Sequence, residues 1–183
     1  EKALSDLASL KIDMIAPSHG IIWRKNIEMI LKEYVMWSSQ NTKRKALIIY
    51  DTMWNSTAIM AGAIASVFGS KGYEYKLYNL QFNHISDVMT DVPDSEYICV
   101  GSPTLNNNML PSVSAFLTYM KGLAPKQKKG LAFGSFGWGG QSVKQVHEAL
   151  AGCNFTMLDS LSIKYRPSED ELLKLKDQLE AAI

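Results

Sequence analysis

From Lys45 onward the chain alternates between short apolar runs and amphipathic stretches, and that alternation leaves few folds open. Ala46-Leu47-Ile48-Ile49-Tyr50, Tyr97-Ile98-Cys99-Val100 and Leu131-Ala132-Phe133 are apolar on consecutive residues, the pattern of strands buried on both faces. Tyr73–Leu80 alternates as a half-buried strand would, and Thr156–Tyr165 is rich in strand formers. Between these runs, Thr57–Lys71 sets Ile59, Met60, Ala63, Ile64, Val67 and Phe68 at helical spacing, with Gly69 and Gly72 punctuating the end. Pro111 stands where a helix can begin, ahead of the apolar face of Val113, Phe116, Leu117 and Met120, and Ser142–Leu150 reads as the next helix. The polar stretch through Asp87 and Asp91 reads as a connection.

The last helix carries its own start signal. Ser168 followed by Glu171 is a capping box, and Leu172, Leu175, Leu179 and Ala182 or Ile183 form one stripe that packs on a sheet. Strands alternating with helices predict an α/β fold with a parallel sheet covered on both faces. Right-handed crossovers and five strands then favour the order 2-1-3-4-5.

The first forty residues do not join this pattern. Leu4, Leu7 and Leu10 suggest a short helix, Asp13–Ala16 a short strand ending at Pro17-Ser18-His19-Gly20, and Ile27, Ile30, Leu31, Tyr34 and Trp37 another helix. The polar run Ser38–Lys45 reads as a linker, so a boundary separates residues 1–40 from a domain at 45–183. The first residue is Glu1, which reads as a fragment of a longer protein.

Bulk properties exclude several functions. Of 183 residues, 46% are hydrophobic and 20% charged, an ordinary globular balance. A formal charge of +1 supplies no field for nucleic acid or an acidic membrane surface, and no apolar run approaches a membrane span. Cys99 and Cys153, far apart and without His or Cys neighbours, make no metal site and read as reduced, buried thiols. With no export signal, they predict a cytoplasmic location.

In open parallel sheets ligands sit beyond the carboxyl ends of the strands. Three loops begin there: Thr52-Met53-Trp54-Asn55-Ser56-Thr57, Ser102-Pro103-Thr104-Leu105-Asn106-Asn107 and Ser135-Phe136-Gly137-Trp138-Gly139-Gly140. The first opens a helix with three hydroxyls and no Lys or Arg, which suits a terminal monophosphate held without metal. A nucleotide-triphosphate loop would need Gly-Lys-Ser/Thr. Helix capping by Asn55 or Ser56 alone is the plainer alternative. The second loop offers amides and hydroxyls to the edge of a heterocycle, or simply makes a surface turn. In the third, Trp138 stands among glycines that give it nothing to pack on, and Trp54 poses the same question. A phosphate, a hydrogen-bonding ring edge and an aromatic sandwich together describe flavin mononucleotide (FMN).

The wording of these loops is also specific. Tyr-Asp-Thr-Met-Trp-Asn-Ser-Thr from Tyr50, Gly-Ser-Pro-Thr-Leu-Asn-Asn from Gly101 and Gly-Ser-Phe-Gly-Trp-Gly-Gly from Gly134 resemble the flavodiiron proteins, or A-type flavoproteins. Ile15-Ala16-Pro17-Ser18-His19-Gly20-Ile21-Ile22-Trp23-Arg24 is similar to the end of their metallo-β-lactamase-like domain. The resemblance covers nearly the whole chain and implies a flavodoxin-like three-layer sandwich at 45–183. It implies FMN held by the three loops, and electrons passed from rubredoxin or a similar small donor to a diiron centre that reduces dioxygen or nitric oxide. It further implies a head-to-tail homo-oligomer of the full-length protein. His19 matches the last diiron ligand of the family, but the other ligands lie outside this sequence, so His19 is expected to hold no metal here. His84 and His147 match no role. The near-neutral chain is expected to depress flavin reduction less than a strongly acidic flavodoxin, which potentiometry would measure.

Rival classes make different demands. A free-standing NAD(P)H:quinone reductase would need space over the flavin that Trp54 and Trp138 occupy, and would turn over quinone directly. A flavodoxin-type carrier would need no diiron partner. A receiver module requires an aspartate where Gly101-Ser102 ends the third strand. A cofactor-free interaction domain would be colourless.

Overall fold

The computed structural model describes residues 2–7, 10–39 and 41–183. The chain divides into two compact units, 1–41 and 42–183.

In the first unit, α1 (Lys2–Leu7) and α2 (Ile27–Ser39) form, the latter marked by an edge-on Tyr34–Trp37 pair at 5.4 Å. The expected strand at Asp13–Ala16 is reduced to one bridge, Ile15 to Trp23, with two backbone hydrogen bonds of 2.9 Å. Pro17 lacks a donor and Gly20 turns the chain at φ 106°, so pairing stops after one residue. The linker is also shorter than expected. Ser38 and Ser39 belong to α2, their hydroxyls bonded back to Val35 and Met36 carbonyls, and the next strand already begins at Lys43.

The second unit runs β1 (Lys43–Tyr50), α3 (Ser56–Ser70), β2 (Glu74–Asn79), α4 (Ile85–Asp91), β3 (Ser95–Gly101), α5 (Pro111–Leu123), β4 (Lys129–Phe136), α6 (Gln141–Ala151), β5 (Thr156–Met157), β6 (Leu161–Lys164) and α7 (Glu169–Ala182). All strand pairs are parallel and the order is β2-β1-β3-β4-β5, as expected, with β6 also on β4. Alternation along β1 assigns the two faces. Leu47 and Ile49 enter a core with residues of α4, α5 and α6, while Ala46 and Ile48 enter a second core with α3 and α7. The result is the three-layer sandwich. The capping box of Ser168 and Glu171 starts α7 as read from the sequence.

Three local differences have physical causes. The fifth strand is split: Leu158, Asp159 and Ser160 lie opposite only Leu131 and Ala132, an extra residue that interrupts pairing between β5 and β6. The connection through Asp87 holds a helix, α4, because Ile85, Val88 and Met89 have helical spacing and His84 Nδ1 accepts from Ser86 N as its cap. β2 is an outer strand, so Tyr75 and Leu77 remain exposed rather than half-buried.

At the amino ends of the strands, charge is matched closely. Lys45 is buried and its Nζ reaches Asp91 at 2.5 Å and Asp94 at 3.1 Å, while Lys43 pairs with Asp94 and Lys76 with Asp91, both at 2.9 Å. Tyr78 also donates to Asp91. Burial pushes the Asp91 carboxyl up, but hydrogen bonds from Lys45, Tyr78 and Lys76 prevail and hold it down to about 2. Burial and the same carboxylate raise the Tyr78 hydroxyl to about 12.

Candidate functional site

At the opposite, carboxyl ends of the strands lies a cavity of about 820 Å³. It is lined by fourteen residues of the three loops singled out in the sequence: Thr52, Met53, Trp54, Ser56, Pro103, Thr104, Leu105, Asn106, Asn107, Ser135, Phe136, Gly137, Trp138 and Gly139. Asn55, Thr57, Ser102 and Gly140 do not line it. Thr57 and Ser102 make buried hydrogen bonds that tie the loops, while Asn55 and Gly140 precede α3 and α6.

The first loop prepares a helix terminus without closing it. Asn55 precedes α3 with φ 62° and makes no side-chain cap, so the capping alternative does not describe this residue. Free N–H groups and the helix dipole therefore remain at the start of α3, a setting that favours an anion. Thr57 is fully buried, and its hydroxyl lies 3.2 Å from that of Ser135, tying the first loop to the third. Thr52 is the exception. It is only 5% exposed, yet its Oγ1 has no hydrogen-bond partner among the described residues. A buried hydroxyl left unpaired costs about 1–3 kcal/mol, so this atom suits a ligand acceptor.

The second loop is a tight hairpin turn. Leu105 and Asn108 exchange backbone hydrogen bonds of 2.9 Å, and Asn106 and Asn107 between them have φ of 48° and 61°. Asparagine suits both positions because its side chain tolerates the left-handed region. Gln145 on α6 clasps the turn: its Oε1 accepts from Met109 N at 2.8 Å, and its Nε2 donates to Asn108 Oδ1 at 3.0 Å. Ser102 is buried, accepting from Leu110 N and donating to the Pro103 carbonyl. Thr104 meets the Ser142 hydroxyl at 2.8 Å.

The third loop rests on Gly134. A Cβ there would stand 2.0 Å from the Ser102 carbonyl oxygen, a backbone atom that cannot yield, so glycine lets the floor of the cavity close. In this loop Trp138 is 96% exposed, and in the first loop Trp54 is 83% exposed; both line the cavity. Gly140 precedes α6 at its amino end.

Two lining residues were missed in the sequence, Tyr165 and Arg166. Tyr165 N donates to Phe136 O at 2.7 Å and the residue takes φ 63°, an uncommon conformation for an aromatic side chain. Its ring lies against Gly137, with Lys164 Nζ 5.1 Å from the ring centroid. Arg166 is the one charged side chain in the lining. The signal was available. These residues end the fifth apolar run on the same sheet edge, and the strand-end rule applied to three runs applies to it as well.

His19 lies in the first unit on an exposed bend. Among the described residues no cluster of three or more His, Cys, Asp or Glu side chains stands where a metal ion could be held. No helix among them is long and apolar enough to cross a membrane.

Residues 48–178 match the flavodoxin family. The chain belongs to that family. Its homologues are flavodiiron proteins. It is 45% identical over 150 residues to a nitric oxide reductase of Moorella thermoacetica, covering 82% of this chain and 38% of that protein. The solved rubredoxin oxygen:oxidoreductase of Desulfovibrio gigas superposes with a TM-score of 0.90 at 38% identity, over 97% of this chain and 45% of that one. The flavodiiron protein of Giardia intestinalis also gives 0.90, at 32% identity, over 98% of this chain and 46% of that one. The chain thus spans less than half the length of these relatives.

Proposed function

We propose that residues 42–183 bind FMN and serve as the electron-transfer module of a flavodiiron oxidoreductase. The observation that carries this function is the buried, unpartnered hydroxyl of Thr52, in a loop that leads into an uncapped helix start and lines a cavity with two exposed tryptophans. Bound FMN would supply reversible one- and two-electron chemistry. The chain's own residues do the rest. Thr52, Ser56 and the first amides of α3 hold the phosphate, with Asn55 and Thr57 setting their backbone and Ser135, in contact with Thr57, bringing the third loop beside them. Trp54 and Trp138, with Met53, Leu105 and Phe136, supply apolar cover for a flat ring and exclude water from it. The turn carrying Pro103, Thr104, Asn106 and Asn107, supported by Ser102, offers polar groups at the ring edge, and Gly137 and Gly139 admit the ring beside Tyr165, with Gly140 behind them at the start of α6. Arg166 offsets part of the cofactor's negative charge.

Residues 1–40 are read as the end of a metallo-β-lactamase-like diiron domain, in which His19 would serve as one iron ligand of the full-length protein. The relatives' names, nitric oxide reductase and rubredoxin-oxygen oxidoreductase, support a rubredoxin-type donor and a terminal acceptor of oxygen or nitric oxide. The free, buried Cys99 and Cys153 agree with a reducing cytoplasm. The experiment is direct. The chain, purified and mixed with excess FMN, is expected to turn yellow and retain about one FMN per chain through gel filtration. Colourless protein with no retained flavin would overturn the assignment.

A further inference from the structure

Asp51 is a buried carboxylate beside the candidate phosphate loop, and no step described so far employs it. It is 7% exposed, and its side chain and backbone N–H together join four segments. Its Oδ1 accepts from Thr52 N at 2.6 Å and from Gln81 Nε2 at 2.7 Å, and its Oδ2 accepts from the Ser112 hydroxyl near the start of α5. Its own N–H continues the β1–β3 ladder by donating to Gly101 O at 3.2 Å. Gln81, in the loop after β2, donates again from the same nitrogen to Thr52 O at 2.6 Å.

Thr52 is therefore held by both of its backbone polar groups, the N–H by Asp51 and the carbonyl by Gln81. Only its hydroxyl is unspent, and Thr52 lines the cavity. Three neutral donors stabilise the Asp51 charge where a cation would otherwise serve, and all three are fixed in the frame. A carboxylate next to an anion site opposes the ligand's charge. Its presence there is accounted for by orientation rather than attraction.

We propose that Asp51, braced by Gln81 and Ser112, is the positioning residue that sets the Thr52 hydroxyl as a phosphate donor and so gives the site its preference for FMN over unphosphorylated riboflavin. The proposal rests on the FMN reading, and the wild-type titration separates the two: failure to bind FMN sinks that reading, while binding with an insensitive Asp51 sinks only this one. Asn at position 51 keeps one oxygen for Thr52 N and Gln81 and turns its NH2 to Ser112, whose hydroxyl can accept it, so what is lost is the charge that strengthens all three contacts.

The test titrates FMN and riboflavin separately into wild type, Asp51→Asn, Thr52→Val and the double variant, by quenching of flavin fluorescence. Asp51→Asn is expected to weaken FMN about 30-fold and riboflavin less than about 3-fold, since one charge-assisted contact is worth about that factor. The double variant is expected to lose little beyond the stronger single variant, because Asp51 acts through Thr52. Equal weakening of both flavins, additive losses, or unchanged FMN affinity would each overturn the assignment. Should Asp51→Asn fail to fold, Gln81→Ala and Ser112→Ala each remove one arm of the brace. These are expected to lower the FMN-to-riboflavin preference about 3- to 10-fold, and an unchanged preference in both would overturn the proposal.

Discussion

The two ends of β1 treat polar groups in opposite ways. At its amino end, Lys43 and Lys45 enter a lattice with Asp91, Asp94, Lys76 and Tyr78 in which positive and negative groups are matched at hydrogen-bonding distance. At its carboxyl end, Asp51 is satisfied but Thr52 keeps a buried hydroxyl without a partner, and Trp54 stands almost wholly in solvent. One strand thus ends in a closed network on one side and an open one on the other. Stability is concentrated where polar groups are paired, and binding capacity where they are left over.

The largest expected effect comes from breaking the closed end. Lys45→Ala leaves two carboxylates short of a buried partner and is expected to cost about 3 kcal/mol in urea unfolding, with FMN affinity unchanged within about 2-fold. A large loss of FMN affinity in the folded variant would show that the ends are not independent.

Acid sharpens the same contrast. The Asp91 carboxyl, ordinarily at 3.8, is held at about 2 in the folded chain, so its contribution is fully present above pH 3.8 and is lost as pH falls toward 2. About 2 kcal/mol of stability is expected to disappear across that window, read from melts at successive pH values. In Lys45→Ala the slope should flatten, because a main cause of the depressed value is gone.

At the open end the sign of the effect should reverse. Thr52→Val removes a hydroxyl that nothing among the described residues satisfies, so the FMN-free protein is expected to gain up to about 1 kcal/mol while FMN binds about 30-fold more weakly. Trp138→Ala is the smallest change to the fold. Its side chain is 96% exposed, so unfolding should shift by less than about 0.5 kcal/mol, while FMN affinity falls about 3- to 10-fold.

The sequence made the sheet and its open edge legible because consecutive apolar residues such as Leu47-Ile48-Ile49 occur only where both faces are covered, and strand ends then locate the cavity. It concealed what depends on partners distant in the chain. Lys43 and Lys45 look like linker until Asp91 and Asp94 are placed beneath them, 46 residues or more from Lys45. Gln81 and Ser112 carry no motif, and only the fold brings them to Asp51, 30 and 61 residues away. The split of the last strand was hidden for a related reason: Thr156–Tyr165 has strand composition throughout, and only its partner reveals the surplus residue. α4 was missed although Ile85, Val88 and Met89 displayed its period, because the surrounding acids outweighed a helix of seven residues.

That surplus residue between Met157 and Leu161 works as a phase shift. Successive side chains of a strand point to opposite sides, so four unbroken steps would put Leu161 on the same side as Met157; the extra residue returns Leu161 and Ile163 to the α3–α7 side, opposite Phe133 and Ser135. Losing one position there would match Leu131 and Ala132 residue for residue and leave Tyr165 and Arg166 on the wall they now form. A single deletion at 158–160 is therefore expected to join the two short strands into one without moving the site, a tolerance that composition does not express.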